Sequence, residues 1–341
     1  MKKLILVLII LILINASCSF EGNYVDDHFF IYNDGSSMPV LVQGNMESDV
    51  LVIFLHGGPG GNAVTASYLP VFQELGEDYM MAYWDQRGSG LSQGNSYEFA
   101  YTMEAFIEDL TFLVQTCKER YDSPKIFLYG ISWGGALGCA FLSTDTLQNN
   151  ITGFINMDSG HNLVDGLPLS VDFVEAYADS MIGLAVETEY WTKVRDWCTA
   201  EPDMTVPDNY FTYVNYLRNT NATRMDDRPV DNAQIKLDDI FNSYMSFSLF
   251  FSGTHLAQNF NILELDLSDQ MSAINTPTLV LWGRHDGVNT IEMGYDAYNS
   301  IGDSSFTDKS MVILENSAHA GYLEEKEAFQ AAFRNFIETY R

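Results

Sequence analysis

Six runs along this chain are apolar at almost every position, and each gives way to glycines or polar residues: DVLVIFLHGGPGG, DYMMAYWDQRGSG, SPKIFLYGISWGG, ITGFINMDSG, INTPTLVLWGRHDG and KSMVILENSAHAG. A short, uninterrupted apolar run bounded by turn residues suits a strand buried on both faces. Nearer the start, HFFIYNDGSSMPVLVQG reads as two strands joined by a turn at Asp34-Gly35. TMEAFIEDLTFLVQTCKERY spaces its apolar residues as an amphipathic helix does, EEKEAFQAAFRNFIETY supplies a closing helix, and GGALGCAFL continues the third run as another. Strands alternating with helices predict an α/β fold, a mostly parallel sheet with helices on both faces.

Between residues 161 and 270 this alternation lapses. The stretch is too long and, with 15 aromatics, too apolar in places to be a loop. It is expected to be a helical insertion over the C-terminal edge of the sheet, where ligands bind in such folds. It divides the predicted core into residues 18–160 and 271–341.

Charge narrows the possible partners. The 341 residues include 46 acids and 17 bases, a net charge of −29. Such a surface repels nucleic-acid phosphates, and the bland reading is a solvated exterior that aids solubility. The opening MKKLILVLIILILINASCSF has two lysines, an apolar run from Leu4 to Ile14 and then small residues, the pattern of a secretory signal. That run is short of the ~20 apolar residues that cross a bilayer. NASC resembles the lipobox of bacterial lipoproteins, with Asn15 where leucine usually stands. The resemblance implies a signal peptide over residues 1–17, a lipid on Cys18 and a membrane-anchored envelope protein. Ordinary cleavage nearby would leave a periplasmic or secreted one. The other cysteines, Cys117, Cys139 and Cys198, are odd in number and form no C-x-x-C pair, so neither a disulfide framework nor zinc is expected. Cys139 is expected to pack in the core.

The chemistry gathers at the strand ends. Ser132 stands between Gly130 and Gly134 in G-x-S-x-G spacing, which suits a strand–turn–helix elbow. Its hydroxyl is a weak nucleophile alone and needs a base that is itself oriented by an acid. His319, after the last strand, is the candidate base, and Asp286, after the preceding strand, the candidate acid in the order Ser…Asp…His. Asp158 also follows a strand and competes for the acid's role. His28, His161 and His255 lack strand-end context, while His56 opens HGGPG and His285 precedes Asp286. An acyl-transfer transition state requires two donors for its oxyanion. The backbone N–H of Trp133 is one candidate, and Gly58 in HGGPG the other. No G-K-[ST] follows that loop, so a bound nucleotide is not expected. Neither a cofactor nor a metal is expected.

HGGPG, WDQRGSG, GISWGG, WGRHD and the late His319 together resemble the α/β-hydrolase fold, in its proline iminopeptidase-like branch. The resemblance covers the whole catalytic core. It implies a Ser132–Asp286–His319 triad, an oxyanion hole from Gly58 and Trp133, and a helical cap. Asp85 and Arg87 would brace the loops by ion pairing or hydrogen bonds. Prolyl aminopeptidases of the family recognise a free α-amine with cap glutamates, often in W-x-x-W-E. Here the nearest stretch, YWTKVRDWCTAEP, lacks that motif. The cap acids available include Glu175, Asp179, Glu187, Glu189 and Asp196, and at least one cap acid is expected to face the pocket. The implied activity is aminopeptidase-like release of N-terminal residues. A carboxylesterase or other small-molecule ester or amide hydrolase is the alternative, and a non-catalytic binding lipoprotein the second.

Overall fold

The structure is a computed structural model that describes residues 23–94, 101–122, 124–144, 146–225 and 262–341. The signal segment, Cys18 and His255 lie outside these residues.

Two strands open the fold, β1 (Tyr24–Asn33) and β2 (Ser36–Asn45), paired antiparallel. The turn between them holds Asp34 at φ 44° and Gly35 at φ 76°, the left-handed pair that matches the twist of a tight hairpin. β3 (Val50–Leu55), α1 (Pro70–Gly76), β4 (Met80–Trp84), α2 (Met103–Arg120), β5 (Lys125–Ile131), α3 (Trp133–Leu142) and β6 (Gly153–Met157) follow. Next come α4 (Leu163–Gly183), α5 (Thr188–Thr199) and α6 (Pro207–Arg218). β7 (Thr278–Gly283), α7 (Ile291–Ser300), β8 (Lys309–Leu314), the short α8 (Gly321–Glu324) and α9 (Lys326–Tyr340) close the chain.

The sheet has eight strands in the order β1-β2-β4-β3-β5-β6-β7-β8. From β4 to β8 every neighbour is parallel, so the carboxyl ends of these strands lie at one edge. Every residue of β3, VLVIFL, is buried, and its side chains alternate between two cores. Leu51 and Ile53 join Leu110 and Leu113 of α2 on one face; Val50 and Val52 join Phe72 of α1 and Phe329 of α9 on the other. That two-sided cover is why the strands read as continuous apolar runs. α2 begins at Thr102, whose hydroxyl accepts from the Ala105 N–H at 3.3 Å, and ends with Lys118 and Arg120 in its last turn.

Helices α4 to α6 form a separate small core of Val174, Trp191, Val194, Tyr213 and Leu217. The chain leaves and rejoins the main body at one place. Asn162 bridges Asp266, the Leu163 N–H donates to the Leu265 carbonyl at 2.7 Å, and the Leu267 N–H donates to the His161 carbonyl at 3.0 Å. His161, which lacked context in the sequence, is fully buried here, with Nε2 2.9 Å from Asp296 on α7.

Candidate active site

The nucleophile candidate sits where β5 turns into α3. Ser132 has φ 56° and ψ −122°, a backbone that L-residues avoid unless the surroundings impose it. Its neighbours must be glycine. A Cβ on Gly134 would lie 1.9 Å from the Leu55 carbonyl oxygen, and one on Gly130 would lie 2.4 Å from the Gly134 carbonyl oxygen. The helix therefore packs its first turn directly against β3, which leaves Ser132 as the residue presented above the sheet.

His319 and Asp286 meet across two loops. Nδ1 of His319 is 2.7 Å from Oδ2 of Asp286, whose carboxyl is fully buried. The other oxygen of Asp286 accepts from the N–H groups of Val288 at 2.7 Å and Asn289 at 3.0 Å. Burial pushes this carboxyl up, while the facing imidazole and the two N–H groups oppose the rise. Ser132 Oγ makes no hydrogen bond among the described residues; catalytic contacts of this kind often tighten only once substrate is bound.

Asp158 stands beside this pair. It has φ 45°, accepts the Gly283 N–H at 2.9 Å through Oδ1, and leaves Oδ2 without a partner. Burial, and then the neighbouring Asp286, push its carboxyl well above the ordinary range. Ligand-type atoms of Asp158, Asp286 and His319 lie within 4.8 Å of one another, close enough to hold a metal ion. Their hydrogen bonding is nonetheless that of an acid–imidazole pair, with Nδ1 engaged by Asp286.

The two oxyanion candidates line the same cavity as Ser132. Gly58 adopts φ 129°, and a Cβ there would lie 2.6 Å from the Gly60 nitrogen. A fully buried Gln86 joins the Gly58 loop to Trp133. It donates through Nε2 to the His56 carbonyl at 3.2 Å and accepts the Trp133 indole N–H at 2.9 Å. Its backbone N–H also donates to Nε2 of His56 at 3.2 Å. Burial holds His56 down to about 4, so its ring is neutral, with Nδ1 2.8 Å from the Gly57 carbonyl. Asp85 and Arg87 of WDQRGSG hold the surrounding loops, one by hydrogen bonds and the other by an ion pair. Asp85 accepts the N–H groups of Ala63, Val64 and Leu91. Arg87 forms a buried two-pronged bond with Asp109 at 2.6 and 2.7 Å. Gln86 was not singled out in the sequence, though it lies within that motif.

Above Ser132 is a cavity of about 800 Å³ between core and insertion. Leu163, Leu167, Tyr213, Val214, Leu217 and Val288 give it apolar walls. None of the five cap acids named from the sequence lines this cavity. Thr199 donates to Glu175 at 2.9 Å, Asp179 and Asp196 lie beside Arg195, and Glu187 and Glu189 flank a separate shallow depression. These helices turn their apolar stripes inward, which leaves the charges hydrated outside. Cys139 is buried in the core, as expected.

Residues 50–326 match the alpha/beta hydrolase fold family. A proline iminopeptidase of Saccharolobus solfataricus is 26% identical over 295 residues, 84% of each chain. The solved proline iminopeptidase of Mycobacterium smegmatis superposes with a TM-score of 0.65 at 17% identity, covering 92% of this chain and 98% of that one. A thermophilic esterase from Thermogutta terrifontis superposes with a TM-score of 0.59 at 18% identity, over 92% and 99%.

Proposed function

The chain belongs to the alpha/beta hydrolase fold family and is a hydrolase, and from that membership we propose a serine hydrolase that acts through an acyl-enzyme on small esters or amides with an apolar acyl group. The observation that carries this reading is the shared cavity. Ser132, forced outward at positive φ, lines the same apolar space as Gly58 and Trp133, at the sheet edge that also carries the Asp286–His319 pair. In this mechanism Ser132 Oγ attacks the carbonyl carbon as its proton passes to Nε2 of His319. Asp286 holds Nδ1–H and stabilises the imidazolium. The backbone N–H groups of Gly58 and Trp133 take the oxyanion. His319 then protonates the leaving group, and water, activated by the same imidazole, hydrolyses the ester at Ser132.

Aminopeptidase-type release of an N-terminal residue is the second reading, supported by the proline iminopeptidase relatives. It requires a carboxylate for the substrate ammonium, and no such group lines the cavity among the described residues. A panel pairing prolyl and alanyl anilides with their N-acetyl forms, beside p-nitrophenyl butyrate, separates the readings. Comparable cleavage of blocked and free forms supports the ester–amide reading. A loss of ~2–4 kcal/mol in specificity on acetylation establishes the aminopeptidase instead. A fluorophosphonate probe that labels the wild type but not Ser132→Ala identifies the nucleophile; no labelling would leave a binding protein.

We also propose a lipid on Cys18 and an envelope location, supported by the opening sequence pattern. Among the described residues no helix is long and apolar enough to cross a membrane. An intact mass of native protein showing an unmodified N-terminus would overturn the lipid.

A further inference from the structure

Among the described residues lining the cavity, only Arg218 is charged. It ends α6, and Asn215 lines the same cavity one turn earlier, at the i, i+3 spacing that puts two side chains on one helical face. Both are exposed, and among the described residues neither side chain has a hydrogen bond or an ion pair.

For this chain that is unusual. With 46 acids and 17 bases, a cation meets carboxylates almost everywhere. Arg87, Arg120, Arg195, Arg284, Arg334 and Arg341 each hold one, at 2.5 to 2.9 Å. The helix dipole favours a cation at the end of α6 but does not select the turn that faces the cavity. A guanidinium is a planar fork matched to a carboxylate, which it can hold by two parallel charge-assisted hydrogen bonds.

We propose that the substrate carries a carboxylate remote from the scissile carbonyl, and that Arg218, assisted by Asn215, is the specificity residue that receives it. This rests on the hydrolase reading for the location of the scissile bond, and deepens it. The carboxylate belongs either to the far end of an otherwise apolar acyl chain, as in a half-ester or half-amide of a dicarboxylic acid, or to the leaving group, as in a dipeptide. In a protein this acidic, one cation on the cavity wall also gives an anionic ligand an orientation: charge toward α6, apolar part toward Ser132.

The test measures affinity in the Ser132→Ala protein, where turnover plays no part. Two pairs are titrated by calorimetry: the monoanilide of glutaric acid against its methyl ester, and prolyl-alanine against prolyl-alanine amide. In at least one pair the carboxylate member should bind about fivefold or more tightly, as expected of a charge-assisted bond at a partly open site. The pair that shows it identifies which side of the substrate bears the charge. Adding Arg218→Gln should bring the ratio to about one, Arg218→Lys should restore part of it, and 0.5 M salt should shrink it. Ratios near one in both pairs overturn the proposal. So does a preference that survives Arg218→Gln, or no measurable binding by any of the four compounds. Loss of fluorophosphonate labelling in the wild type would sink the hydrolase reading while leaving the affinity ratio to stand or fall on its own.

Discussion

Replacing Asp286 by asparagine should nearly abolish activity, and the reason is legible in the hydrogen bonds of that one side chain. Oδ1 accepts two backbone N–H groups, from Val288 and Asn289, so in the amide the oxygen must stay at that position. The NH2 group then occupies the place of Oδ2, 2.7 Å from Nδ1 of His319, and donates toward it. Nδ1 must become an acceptor, the imidazole proton moves to Nε2, and Nε2 can no longer take the proton of Ser132. The loss is one of tautomer as well as charge, and such a change costs on the order of 10⁴-fold in kcat, about 5.5 kcal/mol. Asp158→Asn provides the contrast. Among the described residues that carboxyl has one partner, the Gly283 N–H at Oδ1, which an amide oxygen can keep, and burial beside Asp286 already disfavours its charge. Its effect should stay within about threefold. The assay is kcat/KM on p-nitrophenyl butyrate at neutral pH, with enzyme concentration set by fluorophosphonate titration and folding checked by thermal melting. Asp286→Asn within tenfold of wild type would refute the reasoning, as would a crippled Asp158→Asn, which would identify Asp158 as the orienting acid.

Gln86→Leu should strand two buried groups at once, the His56 carbonyl and the Trp133 indole N–H, and destabilise the protein by ~2–4 kcal/mol. Urea unfolding checks this, and a loss below ~0.5 kcal/mol would show that the bridge does not hold the two loops. Asp85 gives a pH test. Burial raises its carboxyl from 3.8 to about 6 against three opposing N–H groups, so its stabilising contribution is complete below 3.8 and is lost as pH rises to about 6. The stability margin of wild type over Asp85→Asn should therefore shrink across that window, by at most ~1.4 kcal/mol per pH unit. A margin that grows instead would mean that the N–H groups outweigh burial.

Local rules sufficed for much of the site's framework. Continuous apolar runs announced strands buried on both faces, glycine around Ser132 announced an elbow, and the parallel connectivity placed the polar strand ends at one edge. α1 and α7 were harder to see, because seven residues of PVFQELG and the mixed pattern of IEMGYDAYNS give too few turns for a period to emerge. Pairings between distant positions had no local signature at all. Asp286 reaches His319 over 33 residues, Gln86 reaches Trp133 over 47, and His161 finds Asp296 over 135. The two competing acids, Asp158 and Asp286, look alike in sequence because both follow a strand. Tertiary structure separates them, placing the imidazole against one and leaving the other buried, with an oxygen that has no partner among the described residues. The cap shows the same division most clearly. Its acids were visible as letters, but which face of each helix meets the core depends on how three helices pack together, and that packing turns five carboxylates away from the cavity and Arg218 toward it.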